Sequence, residues 1–140
     1  MSSIRALLIF LTAALSACTS IEEMRQSDPV RSAAFDAPFK DVAACVTLGV
    51  AGKYNVTTSV IEREGRAVLT SMNDINAGFV RNREPVWELT VVDEGTPNRS
   101  RAEIRTIKTL IGTTPWADDV WPVVEMCAKT VAAHLAPSQR

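Results

Sequence analysis

The chain has few of the side chains that enzymes most often use for proton transfer and metal binding. Its one histidine, His134, lies near the C-terminus, where a histidine is far more often a surface residue than a general base. It has no Gly-x-Gly-x-x-Gly motif, no phosphate-binding loop and no histidine-containing zinc spacing. Asp118 and Asp119 suit a helix start, because adjacent helical residues do not face each other. We therefore predict no catalytic activity, no metal and no cofactor.

The chain also lacks a charge excess and a long apolar run. Its 15 Lys and Arg residues nearly balance 16 Asp and Glu residues, and the formal net charge is −1. A nucleic-acid-binding domain usually carries a basic patch instead. The apolar run from Ala6 to Leu15 is far short of the roughly 20 residues that a membrane-spanning helix needs. Nucleic-acid binding and a spanning helix are both disfavoured.

The N-terminus has the layout of a secretory signal peptide. Arg5 and the terminal amine form a short positive region, which the apolar run follows, and small residues precede Cys18. Cleavage after Ser16 would release a soluble secreted protein, and this alternative stays open. An uncleaved anchor is a third interpretation, which the shortness of the run disfavours.

The segment Leu15-Ser16-Ala17-Cys18 resembles the lipobox of bacterial lipoproteins. The resemblance implies that residues 1–17 are removed and that Cys18 is diacylated on sulfur and usually acylated on its new amine. Two or three acyl chains hold a protein stably at a membrane, whereas one holds it only marginally. In this family an aspartate after the cysteine is associated with retention in the inner membrane. Thr19 at that position implies the periplasmic face of the outer membrane.

Residues 18–37 are predicted to form the lipidated N-terminus and a flexible tether, followed by one domain over residues 38–140. The segment 19–37 is polar, aperiodic and broken by Pro29. A flexible coil of this length spans roughly 25 Å. In the alternative interpretation, part of the segment packs on the domain with Phe35 as its anchor.

Two segments have the apolar spacing of amphipathic helices. The first runs from Pro38 to Tyr54, with Asp36 as a candidate N-cap. The second is predicted from about Asp118 to Leu135, because this start places Pro122 in the first turn. A start at Pro115 would leave Pro122 two turns inside the helix, at a cost of about 3 kcal/mol.

The middle of the chain alternates with period two, which predicts four strands. The strands cover residues 56–63, 66–72, 86–93 and 101–110, and a polar loop is expected at 73–84. Short connections favour an antiparallel meander. One face of this sheet is expected to stay open, with Glu88, Thr90, Glu103 and Arg105 on it.

Cys45 and Cys127 lie in the two predicted helices. An even pair of cysteines in an exported protein is typical of a disulfide. Because a disulfide needs Cα atoms about 4.4–6.8 Å apart, it would place both helices side by side on one face of the sheet. The alternative is a pair of buried free cysteines. The predicted fold is therefore α+β, in the order helix, four-stranded antiparallel meander, helix.

Two segments are candidate partner-binding surfaces. The predicted loop carries Phe79 with Arg81 and Arg83, and an aromatic beside arginines is typical of interface hot spots. Trp116 precedes the second helix. In the alternative interpretation Phe79 covers the core and Trp116 closes one end of it.

These features favour a non-catalytic envelope lipoprotein, a binding or assembly module that its lipid holds in the periplasm near a protein partner. The alternative is a periplasmic inhibitor or immunity protein against a toxin or a cell-wall hydrolase, because a tether raises the effective concentration near a target.

Overall fold

The computed structural model describes residues 21–77, 80–96, 98–107 and 114–136, without the side chains of 74–77 and 80–82. The predicted signal peptide and Cys18 therefore lie outside the described residues. Within these ranges, no helix has both the length and the apolar character needed to cross a membrane.

The described residues form three helices and five strands. In chain order they are α1 (Ile21–Gln26), β1 (Arg31–Phe35), α2 (Phe39–Val50), β2 (Val56–Ile61), β3 (Arg66–Ala77), β4 (Val80–Asp93), β5 (Ser100–Thr106) and α3 (Pro115–Leu135), with a 3-10 turn at Glu62–Glu64. The strands make one sheet in the order β1-β5-β4-β3-β2, and every neighbouring pair is antiparallel. The predicted α+β class is confirmed.

One face of the sheet carries the hydrophobic core. Trp87, Leu89 and Val91 alternate along β4 and are fully buried against α2 and α3. The two helices run antiparallel, and a disulfide joins Cys45 to Cys127 with 5.7 Å between their Cα atoms. The prediction that both helices share one face and are cross-linked is confirmed.

The prediction of four strands and two helices is wrong in detail, because residues 21–35 form α1 and β1 where we expected a tether. The strand Arg31–Phe35 pairs with β5, whose outer edge is free in a four-stranded meander. The half-buried ring of Phe35 packs against Trp121, with 6.3 Å between ring centroids. Met24 of α1 is 2% exposed. Pairing and burial therefore hold a segment whose own sequence has no clear periodicity.

In the polar segment expected to be a long loop, the described residues 73–77 and 80–84 instead continue β3 and β4. These strands pair out to Ala77 and Val80, beyond the last residues that pair with β2 or β5. A hairpin that extends past its sheet has no core-facing side, so its sequence does not need apolar alternation.

The start that we expected for the last helix, at Asp118, is also corrected. The helix begins at Pro115, and Pro122 lies inside it with an exposed ring. The first two turns bury Ala117, Val120 and Trp121. Burying a side chain the size of valine or larger contributes about 1.5–3 kcal/mol, so Val120 and Trp121 together offset the hydrogen bond that Pro122 cannot donate.

Candidate functional site

The face of the sheet opposite α2 and α3 forms a polar depression of about 590 Å³, which we call the open-face concavity. The predicted open-face residues Glu88, Thr90, Glu103 and Arg105 all line it. The remaining lining residues are Arg25, Ser59, Ile61, Arg66, Val68 and Thr70. The alternation of each strand explains this composition, because residues between core positions must point to the other side.

The short helix α1 lies over one side of the concavity and is fixed there by an ion pair. The guanidinium of Arg25 donates through Nη2 to Oε2 of Glu88 at 2.8 Å and through Nε to the same oxygen at 3.0 Å. Thr70 Oγ1 donates to Oε2 at 3.2 Å. Glu88 is only 5% exposed, so its carboxylate needs such partners to offset lost hydration. The hydrogen bond to Glu88 also raises the pKa of Arg25.

A second arginine connects the chain after α1 to the sheet. Nε of Arg105 donates to the backbone oxygen of Ser27 at 3.0 Å, and its Nη2 donates to Glu103 at 3.0 Å. Together with the Arg25–Glu88 pair, these bonds hold the segment 25–27 against β4 and β5.

The third arginine of the concavity has a donor without a hydrogen bond. Nε of Arg66 is buried and lies 2.8 Å from Oε2 of Glu64, in an arrangement that does not form a hydrogen bond. The side chain as a whole is 43% exposed. Arg66 is therefore a partly exposed cation that already has the Glu64 carboxylate as its partner.

Trp116 lies at a different place, beside a smaller depression of about 330 Å³ that Tyr54, Met72 and Val86 also line. Trp116 is half-buried and packs against the hydrophobic core. The neighbouring hydroxyl of Tyr54 donates to Asp119, which also accepts from Lys53 Nζ at 2.7 Å. Burial, followed by the bond to Asp119, raises the pKa of Tyr54 to about 12. The hydrogen bonds from Lys53 and Tyr54 lower the pKa of Asp119.

The other predicted binding residues belong to the β3–β4 hairpin. Phe79 lies outside the described residues, and so does the side chain of Arg81, whose backbone pairs with Asn76. Arg83 is exposed, and its backbone pairs with Asp74. Its neighbour Glu84 pairs with Asn73, which lines the same depression as Trp116. Arg83 and Trp116 thus lie toward one end of the sheet, outside the open-face concavity.

Sequence reasoning missed Arg25 and Arg66 as site residues. Arg25 lies in the segment that we expected to be a tether, and nothing in its local sequence identifies Glu88 as its partner. The available signal was Glu88 itself, a carboxylate in the middle of the apolar strand Val86 to Asp93. A charge at such a position requires a partner from elsewhere in the fold.

The described part of the chain contains no group of three or more His, Cys, Asp or Glu side chains placed to hold a metal ion. No protein-family model matches the sequence, and no curated protein matches it significantly.

Proposed function

We propose that the protein is a non-catalytic lipoprotein of the bacterial envelope that binds a protein partner through its open-face concavity. In this proposal Cys18 carries the lipid, and the mature chain is held at the periplasmic face of the outer membrane. The observation that carries the proposal is α1, which packs on the rim of the concavity three residues after Cys18.

The short distance between lipid and domain supports this arrangement. Cys18 is three residues before Ile21 in the sequence, and three residue steps span at most about 11 Å when extended. Because α1 is fixed to the sheet by Arg25 and Glu88, the domain has no long tether after the lipid. The rim of the concavity would therefore lie close to the membrane surface, where a membrane-bound partner is also concentrated.

The side chains of the concavity favour a polar partner segment that brings an acceptor. Glu88 and Glu103 are already paired with Arg25 and Arg105. Arg66 is paired with Glu64 but is 43% exposed, and it lies beside apolar Ile61 and Val68. A partner carboxylate next to an aliphatic side chain would satisfy both features.

Membrane attachment is tested with the full-length chain in a bacterial host that processes lipoproteins. We expect the wild type in the membrane fraction with incorporated radiolabelled palmitate. The Cys18→Ser variant should appear in the soluble periplasmic fraction without label. Equal membrane association of both chains would overturn the lipid anchor.

Partner binding is tested by crosslinking in intact cells followed by purification of the tagged full-length chain. Thr90→Arg fills the concavity without removing a member of the Arg25–Glu88 pair. Met126→Arg places the same charge on the exposed face of α3, where Met126 is 58% exposed. We expect Thr90→Arg, and not Met126→Arg, to lose the crosslinked partner. Loss only with Met126→Arg would overturn the open-face assignment, and recovery of one toxin or cell-wall hydrolase would favour an inhibitor instead.

A further inference from the structure

The outer strand β2 has one edge with which no described strand of the chain pairs. It pairs with β3 on one side and is the last strand in the sheet order. Its four central residues, 57–60, are all exposed, and Val60 is 48% exposed. The strand contains no charged residue and no proline, whereas natural edge strands usually carry such residues to prevent pairing with another chain.

The hydrogen-bond pattern shows which backbone groups point outward. The amide of Met72 donates to the carbonyl of Asn55, so 55 and 72 are a hydrogen-bonded pair of the antiparallel ladder. Every second residue repeats this pattern, so the backbone N–H and C=O groups of residues 57, 59 and 61 also point toward β3. The N–H and C=O groups of Val56, Thr58 and Val60 therefore point away from the sheet.

We propose that a second copy of this chain pairs with that edge through its own β2, antiparallel about a two-fold axis at Thr58. This register places Thr58 opposite Thr58 of the second copy. It also places Val56 opposite Val60 of the second copy, and the reverse by symmetry. All three outward-facing residues of each strand then exchange backbone hydrogen bonds, and the two sheets become one.

The surface beside β2 accommodates this partner. A depression of about 460 Å³ lies next to Val56, and Thr47, Ala51 and Tyr54 are among its lining residues. Val60 of the second copy lies opposite Val56 on the same face, so its exposed side chain would enter this depression. The interface is isologous, and the same insertion occurs twice.

Charges at the strand ends agree with the antiparallel orientation. Lys53 precedes β2, and Glu62, Arg63 and Glu64 follow it. The two-fold axis brings the start of one strand near the end of the other, and thus Lys53 near a segment of the second copy whose net charge is −1. The other edge of the sheet is less suitable, because β1 has five residues, carries Arg31 and contacts α3.

The two-fold axis also allows both copies to share one membrane. In an antiparallel sheet such an axis is perpendicular to the sheet, so both open faces and both α1 helices lie on the same side. Both lipid-bearing N-termini would then point to the same bilayer. The shared membrane orientation of the two copies rests on the proposed function. The pairing of the two β2 strands does not require the lipid.

The pairing is tested with a cysteine at the symmetry axis. In the proposed pair the Cα atoms of residue 58 lie about 5.5 Å apart, within the range of a disulfide. Residue 59 and its copy are diagonal neighbours about 7–8 Å apart, which is too far. Thr58→Cys and Ser59→Cys are matched variants, and Cys45 and Cys127 are already bonded to each other.

We expect the full chain with Thr58→Cys to migrate at twice its mass on a non-reducing gel of cell envelopes, and as a monomer after reduction. Ser59→Cys should give at least about tenfold less of this species, because its geometry is unsuitable. Equal crosslinking of both variants, no dimer with Thr58→Cys, or an adduct with a different protein would each overturn the proposal.

A second measurement does not depend on cysteine chemistry. Val60→Lys places a charge opposite Val56 of the second copy, and Leu48→Lys makes the same kind of change on α2, where Leu48 is 79% exposed. In detergent, analytical ultracentrifugation should show a dimer for the wild type and for Leu48→Lys, and a monomer for Val60→Lys. Dimers in all three proteins would place the interface elsewhere and overturn the proposal. Since neither change affects Cys18, membrane fractionation reports separately on the anchor.

Discussion

At the scale of single residues, Glu88 connects the N-terminal segment to the sheet. Its carboxylate accepts bonds from Arg25 and Thr70 and is almost inaccessible to solvent. A neutral amide at this position would keep the shape and lose the charge-assisted bonds, which contribute about 1.5–3 kcal/mol. Because Arg25 is partly exposed and can regain water, the effect should be concentrated in α1.

We therefore predict that Glu88→Gln lowers the protection of residues 21–27 in hydrogen exchange at least tenfold, with a loss of unfolding free energy of about 1–2 kcal/mol. The matched control is Glu103→Gln on the same face, which leaves the bond from Arg105 to Ser27 in place. Unchanged protection in Glu88→Gln would show that the burial of Met24 and the bond from Arg105 to Ser27 hold α1 without this ion pair.

The single tyrosine gives a prediction at alkaline pH. The pKa of Tyr54 is raised to about 12 in the folded protein, by burial and then by the bond to Asp119, from an ordinary value of 10.0. A group whose pKa is raised by folding contributes its full stabilisation at pH values below its ordinary pKa. This contribution is lost as the pH rises through the pKa of the folded protein. The contribution of Asp119 to the free energy of unfolding has the opposite pH dependence. Because folding lowers the pKa of Asp119, its contribution is lost as the pH falls.

We predict that the free energy of unfolding falls between about pH 10 and about pH 12, and that Tyr54→Phe reduces this fall. Tyrosinate absorbance can be assigned directly, because the chain contains one tyrosine. Titration of the folded protein at the ordinary value would contradict the hydrogen bond to Asp119.

The amino-acid sequence predicted the disulfide but not the partner of Glu88. Cys45 and Cys127 could be paired from the sequence, because the lipobox resemblance assigns Cys18 to the lipid and leaves these two thiols for each other. Gly65 lies between the predicted strands 56–63 and 66–72, and its φ of 57° is typical of a glycine in a tight turn. The partner of Glu88 could not be predicted, because Arg25 is 63 residues away and no local pattern connects the two.

At the scale of elements, α2 and α3 approach each other closely at Gly49. A Cβ atom added there would lie 2.7 Å from Cγ1 of Val123, which real structures do not tolerate. Glycine in a helix costs about 1 kcal/mol relative to alanine, so its position here is explained by the helix contact that it permits. The exposed Gly52, with no atom within 4 Å of its added Cβ, offers a matched control.

We predict that Gly49→Ala lowers the free energy of unfolding by about 1–3 kcal/mol despite the better helix propensity, since overpacking displaces Val123. Gly52→Ala should be neutral or stabilising by up to about 1 kcal/mol. Adding Val123→Ala to Gly49→Ala should cost less than the two single changes together, as measured by urea unfolding of all four proteins. Strict additivity would contradict the close approach.

The helix and strand boundaries that the sequence did not predict have a common cause. The helix start at Pro115 and the strand at residues 31–35 both depend on burial by distant elements. The apolar periodicity of a segment shows which of its faces is buried, but it does not show which distant element covers that face. The strands Val56–Ile61 and Ser100–Thr106 were identified nearly correctly because their alternation or turn residues are local.

At the scale of the whole molecule, the disulfide and the proposed lipid anchor perform separate tasks. The bond between Cys45 and Cys127 closes a segment with a sequence separation of 82 residues and joins the helices at the middle of their contact. The chain-entropy model gives about 4.5 kcal/mol for a loop of this size, against a typical domain stability of about 5–15 kcal/mol. The domain thus depends on oxidation for much of its stability, which agrees with the proposed location in an oxidising compartment.

We predict that Cys45→Ala combined with Cys127→Ala lowers the free energy of unfolding by about 2–5 kcal/mol and leaves the chain in the membrane fraction. Cys18→Ser should do the reverse, with unchanged urea unfolding and loss of membrane attachment. Reduction of the wild type should reproduce the double variant in the unfolding experiment, because both remove the same constraint. If Cys18→Ser also destabilised the domain, the N-terminal segment would be part of the cooperative unit, and α1 would depend on the membrane as well as on Glu88.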